Sequence, residues 1–482
     1  MAGLALLGEG AARAKEKLSL RHVAAEGLAF GIAANVVALR FVPAVVARFT
    51  TLGVAVGWAA LLLLAAEQGL RWGVTAAVHV TLARRGVPGW WAFATGVLVG
   101  TFVPAVFPWT PAGGVTPIPE LVQLAEVWGE RGVTFLMALS SALLASAVGR
   151  MMEARGVRAG RWLLAAAVAL PLATFVHGRL RLGAVESQRD AAPTMRVALV
   201  QPSTSARDRW DPDHATRILA NLTAATREAE QRGAELTVWP EAAYPFGIAH
   251  VTRRCPIGSL AILPFGVRGP VLTGVVTTGG NGDLWNSAAV CRTDGSLGPP
   301  QDKLHLLWFG ETIPYLDRLP WVRSKFTRGI GLVPGTEIVL QRAGRARASV
   351  LNCFEDTLPG AGREAMTQRP NLLVNVTNDA WFEGSSESEL HMRLAALRAV
   401  ESRRDLVRAV NLGVTSWIDA AGVVRARVDG TARATVMADA ALLETEPTLF
   451  DRFGDAPLAL LALLVVATTL TAASMRGDGL TG

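Results

Sequence analysis

Three residues far apart in the chain could together move an acyl group. Cys353 ends the run Ala348-Ser-Val-Leu-Asn-Cys-Phe-Glu-Asp-Thr-Leu-Pro359. Ser349 to Leu351 read as a buried strand, and Pro359 and Gly360 mark a turn. A thiol where the chain leaves a sheet can face a pocket, although a lone cysteine is as readily a buried packing residue. Glu241 follows the apolar stretch Leu236 to Trp239 directly, in Trp239-Pro-Glu-Ala-Ala-Tyr-Pro-Phe246. A carboxylate there is partly desolvated, which raises its pKa toward that of a useful base. Lys303 stands among apolar neighbours in Gln301-Asp-Lys-Leu-His-Leu-Leu-Trp-Phe-Gly-Glu311. Taken singly, Glu241 is an exposed turn residue and Lys303 a snorkelling surface lysine.

Taken together the three make one chemistry. A free thiol has a pKa of about 8.5 and attacks well only as thiolate, so a neighbouring base must take its proton. A nearby ammonium favours that thiolate and can hold the oxyanion of a tetrahedral intermediate. General-base help is worth roughly 10²–10⁴ in rate, and one oxyanion donor about 10²–10³. The seven histidines show no HExxH or paired-ligand spacing, and Cys255, Cys291 and Cys353 form no CxxC pattern. Neither a metal nor a cofactor is expected. Three widely spaced cysteines also exclude a disulfide scaffold; Cys255 and Cys291 pair only in an oxidising compartment, which leaves that point open.

The elements that must position these side chains follow in order. Residues 179–195 are polar and patternless and read as a linker. Arg196–Gln201 is a strand. Asp211 to Gln231 is a helix, with Asp211 as N-cap, Pro212 in its first turn and Gly233 past its end. Leu236–Trp239 is the next strand. Short β runs come at 271–277 and 285–292, then an irregular stretch at 294–336. Strands near 348–352 and 372–376, a helix over about 387–404, and strands near 407–410, 414–418 and 423–428 complete the set. Alternating α and β elements with buried strands predict an α/β sandwich with helices outside, covering 196–455.

On both sides the chain turns apolar. Of its 482 residues, 51% are hydrophobic, concentrated before about residue 178 and after 456. A membrane span needs roughly 20 apolar residues. Five stretches before the insert qualify, at about 26–47, 51–70, 88–107, 132–149 and 162–178, and a sixth runs over 456–475. The first carries Arg40, which costs on the order of 2.5–3.5 kcal/mol at mid-bilayer. Residues 72–83 read as an amphipathic extension of the second, and Ile118 to Trp128 as a helical turn of the long 108–131 loop. Most of the net charge of +7 lies in residues 1–178, so the insert is nearly neutral and a nucleic-acid surface is excluded. Basic residues alternate from loop to loop. They crowd the N-terminus, the 71–88 connection (Arg71, Arg84, Arg85) and 150–161, while Arg48 and Arg131 stand nearly alone in the others. That bias puts both ends in the cytoplasm and the insert on the outer face, the periplasm in a bacterium with two membranes.

Trp239-Pro-Glu241, Asp302-Lys303 with Phe309-Gly-Glu311, Cys353-Phe-Glu-Asp356 and Asn375-Val-Thr-Asn-Asp-Ala-Trp-Phe382 resemble the motifs of the nitrilase, or carbon–nitrogen hydrolase, superfamily. The flanking spans narrow the likeness to its membrane branch, the apolipoprotein N-acyltransferases. The resemblance covers most of the chain from about residue 25 and is strongest over 196–420. It implies a polytopic helical membrane domain bearing a four-layer αββα insert in the bacterial inner membrane. It also implies a Glu241–Lys303–Cys353 triad. In that family the cysteine takes an acyl chain from a phospholipid, typically phosphatidylethanolamine, as a thioester. The chain then passes to the α-amine of a diacylglyceryl-modified cysteine at an apolipoprotein N-terminus. By the same resemblance Glu311 and Glu355 support the lysine and the cysteine, the Phe354 backbone N–H is a second oxyanion donor, and Trp210 contacts substrate. The chain also departs from the family pattern. Six spans are counted where eight are usual, the missing pair falling at the N-terminus. Phe354 stands in place of a tyrosine, Glu383 in place of a glycine, and Ser386-Glu-Ser-Glu-Leu-His391 differs from the usual Gly-Pro-x-Gln-His run. Two other readings of the same residues are a membrane-tethered amidase with water as acceptor and a non-catalytic relic.

Overall fold

The computed structural model describes residues 19–477, apart from 155–156, 210, 314–318, 320, 322–323 and 326–330. They form two compact units. One holds the chain up to Ala47, Leu52–Arg181 and the stretch from Phe453 onward; the other holds Arg48–Thr51 and Leu182–Arg452.

The first unit is helical. Its helices are α1 (Leu20–Ala38), α2 (Val42–Phe49), α3 (Gly53–Arg84), α4 (Gly89–Thr101), α5 (Ala125–Glu153), the first part of α6 (Arg161–Ala191), and the helix Ala456–Gly477. Small residues let two of them approach closely: a Cβ on Gly31 of α1 would lie 2.7 Å from the Cα of Gly69 on α3. Among the described residues α3, α5 and α6 are each long and apolar enough to cross a membrane, and the pair α1–α2, bent by 55°, makes a fourth if counted as one span. The expected six are therefore not all present as full-length helices. The run at 88–107 becomes the 13-residue α4, because Pro104 and Pro108 bar the helix from continuing. At 1.5 Å per residue α4 spans about 20 Å, short of a ~30 Å hydrocarbon core. Arg40 falls in the break between α1 and α2, where Pro43 prevents a continuous helix, and is exposed. The Ile118–Trp128 helix is replaced by a 3₁₀ turn at Pro119–Leu121 and the start of α5 at Ala125. Arg71 lies inside α3 and donates to the Val103 and Trp109 carbonyls, so the 71–88 connection keeps only Arg84 and Arg85 as loop charges.

The second unit is a sandwich of two sheets. The first has the order β13-β1-β2-β4-β5-β6, from β1 (Thr194–Gln201), β2 (Leu236–Trp239), β4 (Val271–Thr278), β5 (Leu284–Cys291), β6 (Gln301–Asp302) and β13 (Ala434–Ala441); β3 (Ile248–Ala249) pairs with β4. The second has the order β12-β11-β10-β9-β8-β7, from β7 (Gln341–Ala343), β8 (Ala346–Asn352), β9 (Leu372–Asn378), β10 (Leu406–Asn411), β11 (Thr415–Ile418) and β12 (Val424–Val428). β1, β2 and β4 are mutually parallel, as are β8, β9 and β10. Val197, Leu199, Val238 and Leu272 of one sheet meet Val350, Val374, Val376 and Val407 of the other in the central core. Outside, α7 (Pro212–Gln231) lays Ile218 and Leu222 on the first sheet. On the other side α8 (Pro359–Met366) and α9 (Glu387–Ser402) lay Ala361, Ala365, Met392 and Ala399 on the second. The layers are αββα.

One expectation fails at the entry to this unit. Residues 179–191 are not a linker but the last turns of α6. Their helical period is sparse, because Leu182 and Val185 are all the apolar surface they bring to a cluster with Ala420, Ala421 and Leu443. The larger contribution is polar: Arg189 forks onto Asp405, Nε to Oδ1 at 3.0 Å and Nη2 to Oδ2 at 3.1 Å, both buried.

Candidate active site

Each of the three chemically suggestive residues follows the carboxyl end of a strand: Glu241 after β2 and Lys303 after β6, which run in the same sense in the first sheet, and Cys353 after β8 of the second. In open α/β sheets this is where a ligand finds side chains and loose backbone together. Glu241 can stand there because Gly274 on β4 leaves room. A Cβ on Gly274 would sit 2.5 Å from the Pro240 oxygen and 2.6 Å from the Glu241 Cα. Cys353 has φ of +52°, a conformation uncommon for a residue with a Cβ, so the thiol sits on a sharp turn. That turn is held from two sides. Asn375 Nδ2 donates to the Leu351 and Cys353 carbonyls, each at 2.9 Å. Glu355 accepts from the Asn352 N–H at 2.7 Å on one oxygen and from the Leu304 and His305 N–H groups at 2.7 and 2.8 Å on the other. Glu355 thus ties the Cys353 turn to the Lys303 loop.

The three side chains converge, all less than a tenth exposed. Lys303 Nζ lies 2.8 Å from Glu311 Oε2 and 3.6 Å from Glu241 Oε1, and sits over the Phe354 ring at 5.4 Å. The buried Cys353 thiol is near enough to both Glu241 and Lys303 to feel their charges. Asn286 Nδ2, from β5, bridges Glu241 Oε1 at 2.6 Å and Glu311 Oε1 at 3.0 Å. Glu311 also accepts from the Leu307 N–H at 2.9 Å, which folds its own loop back on the lysine.

Burial pushes the Glu241 carboxyl up, and the Glu311 charge adds to this, while Lys303 and the hydrogen bond from Asn286 oppose it. Burial also drives the Cys353 thiol well above its usual value, reinforced by Glu241 against the pull of Lys303. For Lys303 burial disfavours the charge, yet Glu311, Cys353 and Glu241 outweigh it and hold the ammonium well above the usual lysine range. The resting arrangement is a neutral thiol and a buried carboxyl group beside a fixed cation.

The chain matches the carbon–nitrogen hydrolase family over residues 196–448 and the apolipoprotein N-acyltransferase N-terminal domain over residues 1–143. It is 32% identical to the apolipoprotein N-acyltransferase of Geobacter metallireducens over 372 residues, covering 73% of this chain and 68% of that one. It is 33% identical to that of Bradyrhizobium diazoefficiens over 387 residues, 75% of this chain and 68% of the other. The chain belongs to the apolipoprotein N-acyltransferase family. It is a membrane-associated acyltransferase whose catalytic part is a carbon–nitrogen hydrolase domain. An amidase from Nesterenkonia sp. is also similar, at 19% identity and a TM-score of 0.39 over 56% of this chain and 96% of that one.

In this member of the apolipoprotein N-acyltransferases, Glu311, Glu355 and Phe354 all lie against the three central residues. Trp210, expected at the substrate, lies outside the described residues. Asn286 escaped the sequence reading, and Asn375 appeared there only inside a motif, with no role of its own. Both are polar residues inside otherwise apolar strands, a mismatch that marks a buried side chain with a job. Cys255 and Cys291, whose pairing was open, are joined, with Cα atoms 5.7 Å apart.

Proposed function

We propose that Cys353, Glu241 and Lys303 carry out the acyl transfer, with phosphatidylethanolamine as donor and a diacylglyceryl apolipoprotein as acceptor. Glu241 takes the thiol proton as the sulfur attacks the ester carbonyl. The oxyanion forms beside Lys303 and the Phe354 N–H. The C–O bond breaks, Glu241 returns its proton to the departing lysophospholipid oxygen, and the acyl chain remains on Cys353 as a thioester. The α-amine of the acceptor cysteine then attacks that carbonyl. The C–S bond breaks, the amine proton passes through Glu241 back to sulfur, and an amide is released. The observation that carries this reading is the burial of the Cys353 thiol with a carboxyl and an ammonium that bear on its charge, Glu241 Oε1 and Lys303 Nζ being 3.6 Å apart. Trp210 remains a proposed substrate contact.

The catalytic unit belongs, on this reading, on the periplasmic face of the inner membrane. The Cys255–Cys291 disulfide supports an oxidising compartment, and so does the basic N-terminal segment with Arg84 and Arg85. The domain division proposed is helices to 178, the catalytic domain over 196–455 and a last helix at 456–475.

The test is incubation with acyl-labelled phosphatidylethanolamine. Wild type should form a hydroxylamine-labile label on Cys353 and pass it to a lipopeptide. Cys353→Ala and Lys303→Ala should insert into the membrane and do neither; wild-type turnover in either variant ends the assignment.

A further inference from the structure

A second set of charged groups lies against the Cys353 turn, and the chemistry above leaves it unused. Asp356 is on the turn itself, Asp379 follows β9, Glu387 and His391 are on α9, and Arg408 is on β10. All are buried, Glu387 being the most exposed at 6%. His391 Nε2 is 2.7 Å from Asp356 Oδ1, and its Nδ1 is 3.1 Å from Asp379 Oδ1. Arg408 Nε donates to the other Asp356 oxygen at 2.9 Å. A ring with a carboxylate at each nitrogen carries a proton on both, so His391 is an imidazolium joining the nucleophile turn to the turn after β9. Two anions, Asp356 and Asp379, then balance two cations, His391 and Arg408.

Glu387 is the carboxyl left over. Its Oε2, like Asp379 Oδ2, is buried with no hydrogen-bond partner among the described residues. A side-chain oxygen of Asp379, one of Glu387 and a ring nitrogen of His391 lie within 4.8 Å of one another. An ionised Glu387 would place a third anion in this space without a third cation.

We propose that His391 is a positioning residue clamping the Cys353 turn, and that Glu387 must keep its proton for the clamp to hold, so that Glu387 sets the alkaline limit of acyl transfer. This rests on Cys353 being the nucleophile. The charged groups facing Glu387 are Asp379 and Asp356, which oppose its ionisation, and His391 and Arg408, which favour it. Burial and Asp379 prevail, and its carboxyl is pushed up to about 8. His391 moves the other way: burial disfavours its charge, but Asp356 and Asp379 hold it well above the ordinary histidine range. The link to the chemistry is direct, since Asp379 is one of the charges holding the Cys353 thiol up. Further negative charge beside it disfavours the thiolate that attacks.

The experiment measures thioester formation on the full-length chain in nanodiscs, from pH 6 to 10. The wild-type rate should fall about tenfold per unit above pH 8, the slope of a single ionisation. Glu387→Gln, which cannot ionise, should carry the plateau to at least pH 9. His391→Ala should be about 10²-fold slower with donor KM unchanged, the scale of a misplaced reacting group. Melting supplies a check independent of turnover. Glu387 holds a proton when folded and releases it when unfolded between pH 4.5 and about 8. Its contribution to stability is present below pH 4.5 and lost as pH rises through 8. Wild type should therefore lose Tm relative to Glu387→Gln across that window and keep a constant deficit above it. An alkaline limb unmoved in Glu387→Gln overturns the proposal. So does one equivalent of a divalent metal in the purified wild type, since a cation would occupy the place of the two protons. If Cys353→Ala still transfers acyl chains, it is the nucleophile assignment that fails instead.

Discussion

At the scale of single residues, the site depends on sharing one cation between two carboxylates. Asn286 makes this tolerable by donating to both Glu241 and Glu311 from one amide nitrogen. Its hydrogen bond lowers the Glu241 pKa against the effect of burial. Asn286→Ala removes that hydrogen bond, so Glu241 holds its proton to higher pH. The acid limb of kcat/KM should move upward, and stability should fall by about 1–3 kcal/mol for carboxylate oxygens left without a donor. A pH–rate profile with a denaturant titration reads both. Glu241 and Cys353 were legible in the chain because an apolar strand stops just before each, Leu236–Trp239 and Ser349–Leu351, and Lys303 because it is a cation among apolar neighbours. Asn286 was not, since the carboxylates it serves lie 45 and 25 residues away along the chain. His391 and Glu387 were visible only as a departure from a motif; the balance of charge around them exists only once α9, β9 and β10 are brought together.

At the scale of elements, what matters is where strands end and what lets them. Gly274 has no catalytic group, yet a Cβ there meets the backbone of Pro240, Glu241 and Ala242 at 2.5–2.6 Å. Backbone cannot yield as a flexible side chain would. Gly274→Ala should shift the Glu241 turn and lower turnover about 10²-fold, while overpacking costs about 1–3 kcal/mol. A loss of rate in protein that still melts cooperatively would be the signature. The sheets themselves were readable from short apolar runs bounded by turns, and Asp211 with Pro212 marked the start of α7. The edge strands β7 and β13 were not foreseen, because Gln341–Ala343 is only three residues and Ala434–Ala441 is rich in alanine. The breaks within the helical unit were missed because hydropathy sums residues and does not see prolines. Pro43, Pro104 and Pro108 cut apolar runs whose composition alone would have crossed a bilayer.

At the scale of the whole molecule, stability in the catalytic unit rests on two long-range ties. The Cys255–Cys291 bond closes a loop across 36 residues, for which chain entropy gives about 4 kcal/mol. Cys255→Ser with Cys291→Ser should lower unfolding stability by about that amount, read in urea, and leave the acid limb of the rate profile where it was. The other tie is the fork of Arg189 on Asp405. Asp405 also accepts from the Trp417 indole and from the Ala420 and Ala441 N–H groups. Arg189→Ala would strand that anion and should cost about 3–5 kcal/mol, measurable by the same titration. Arg189 stands on the stretch that reads by composition as a spacer, which has a practical bearing on cutting the molecule. A fragment beginning at Pro193 keeps every strand but throws away Leu182, Val185 and Arg189, and with them the counter-ion of Asp405. Whoever trims this enzyme to a soluble piece should open it at Leu182, keeping the end of a helix that looks, on paper, like packaging.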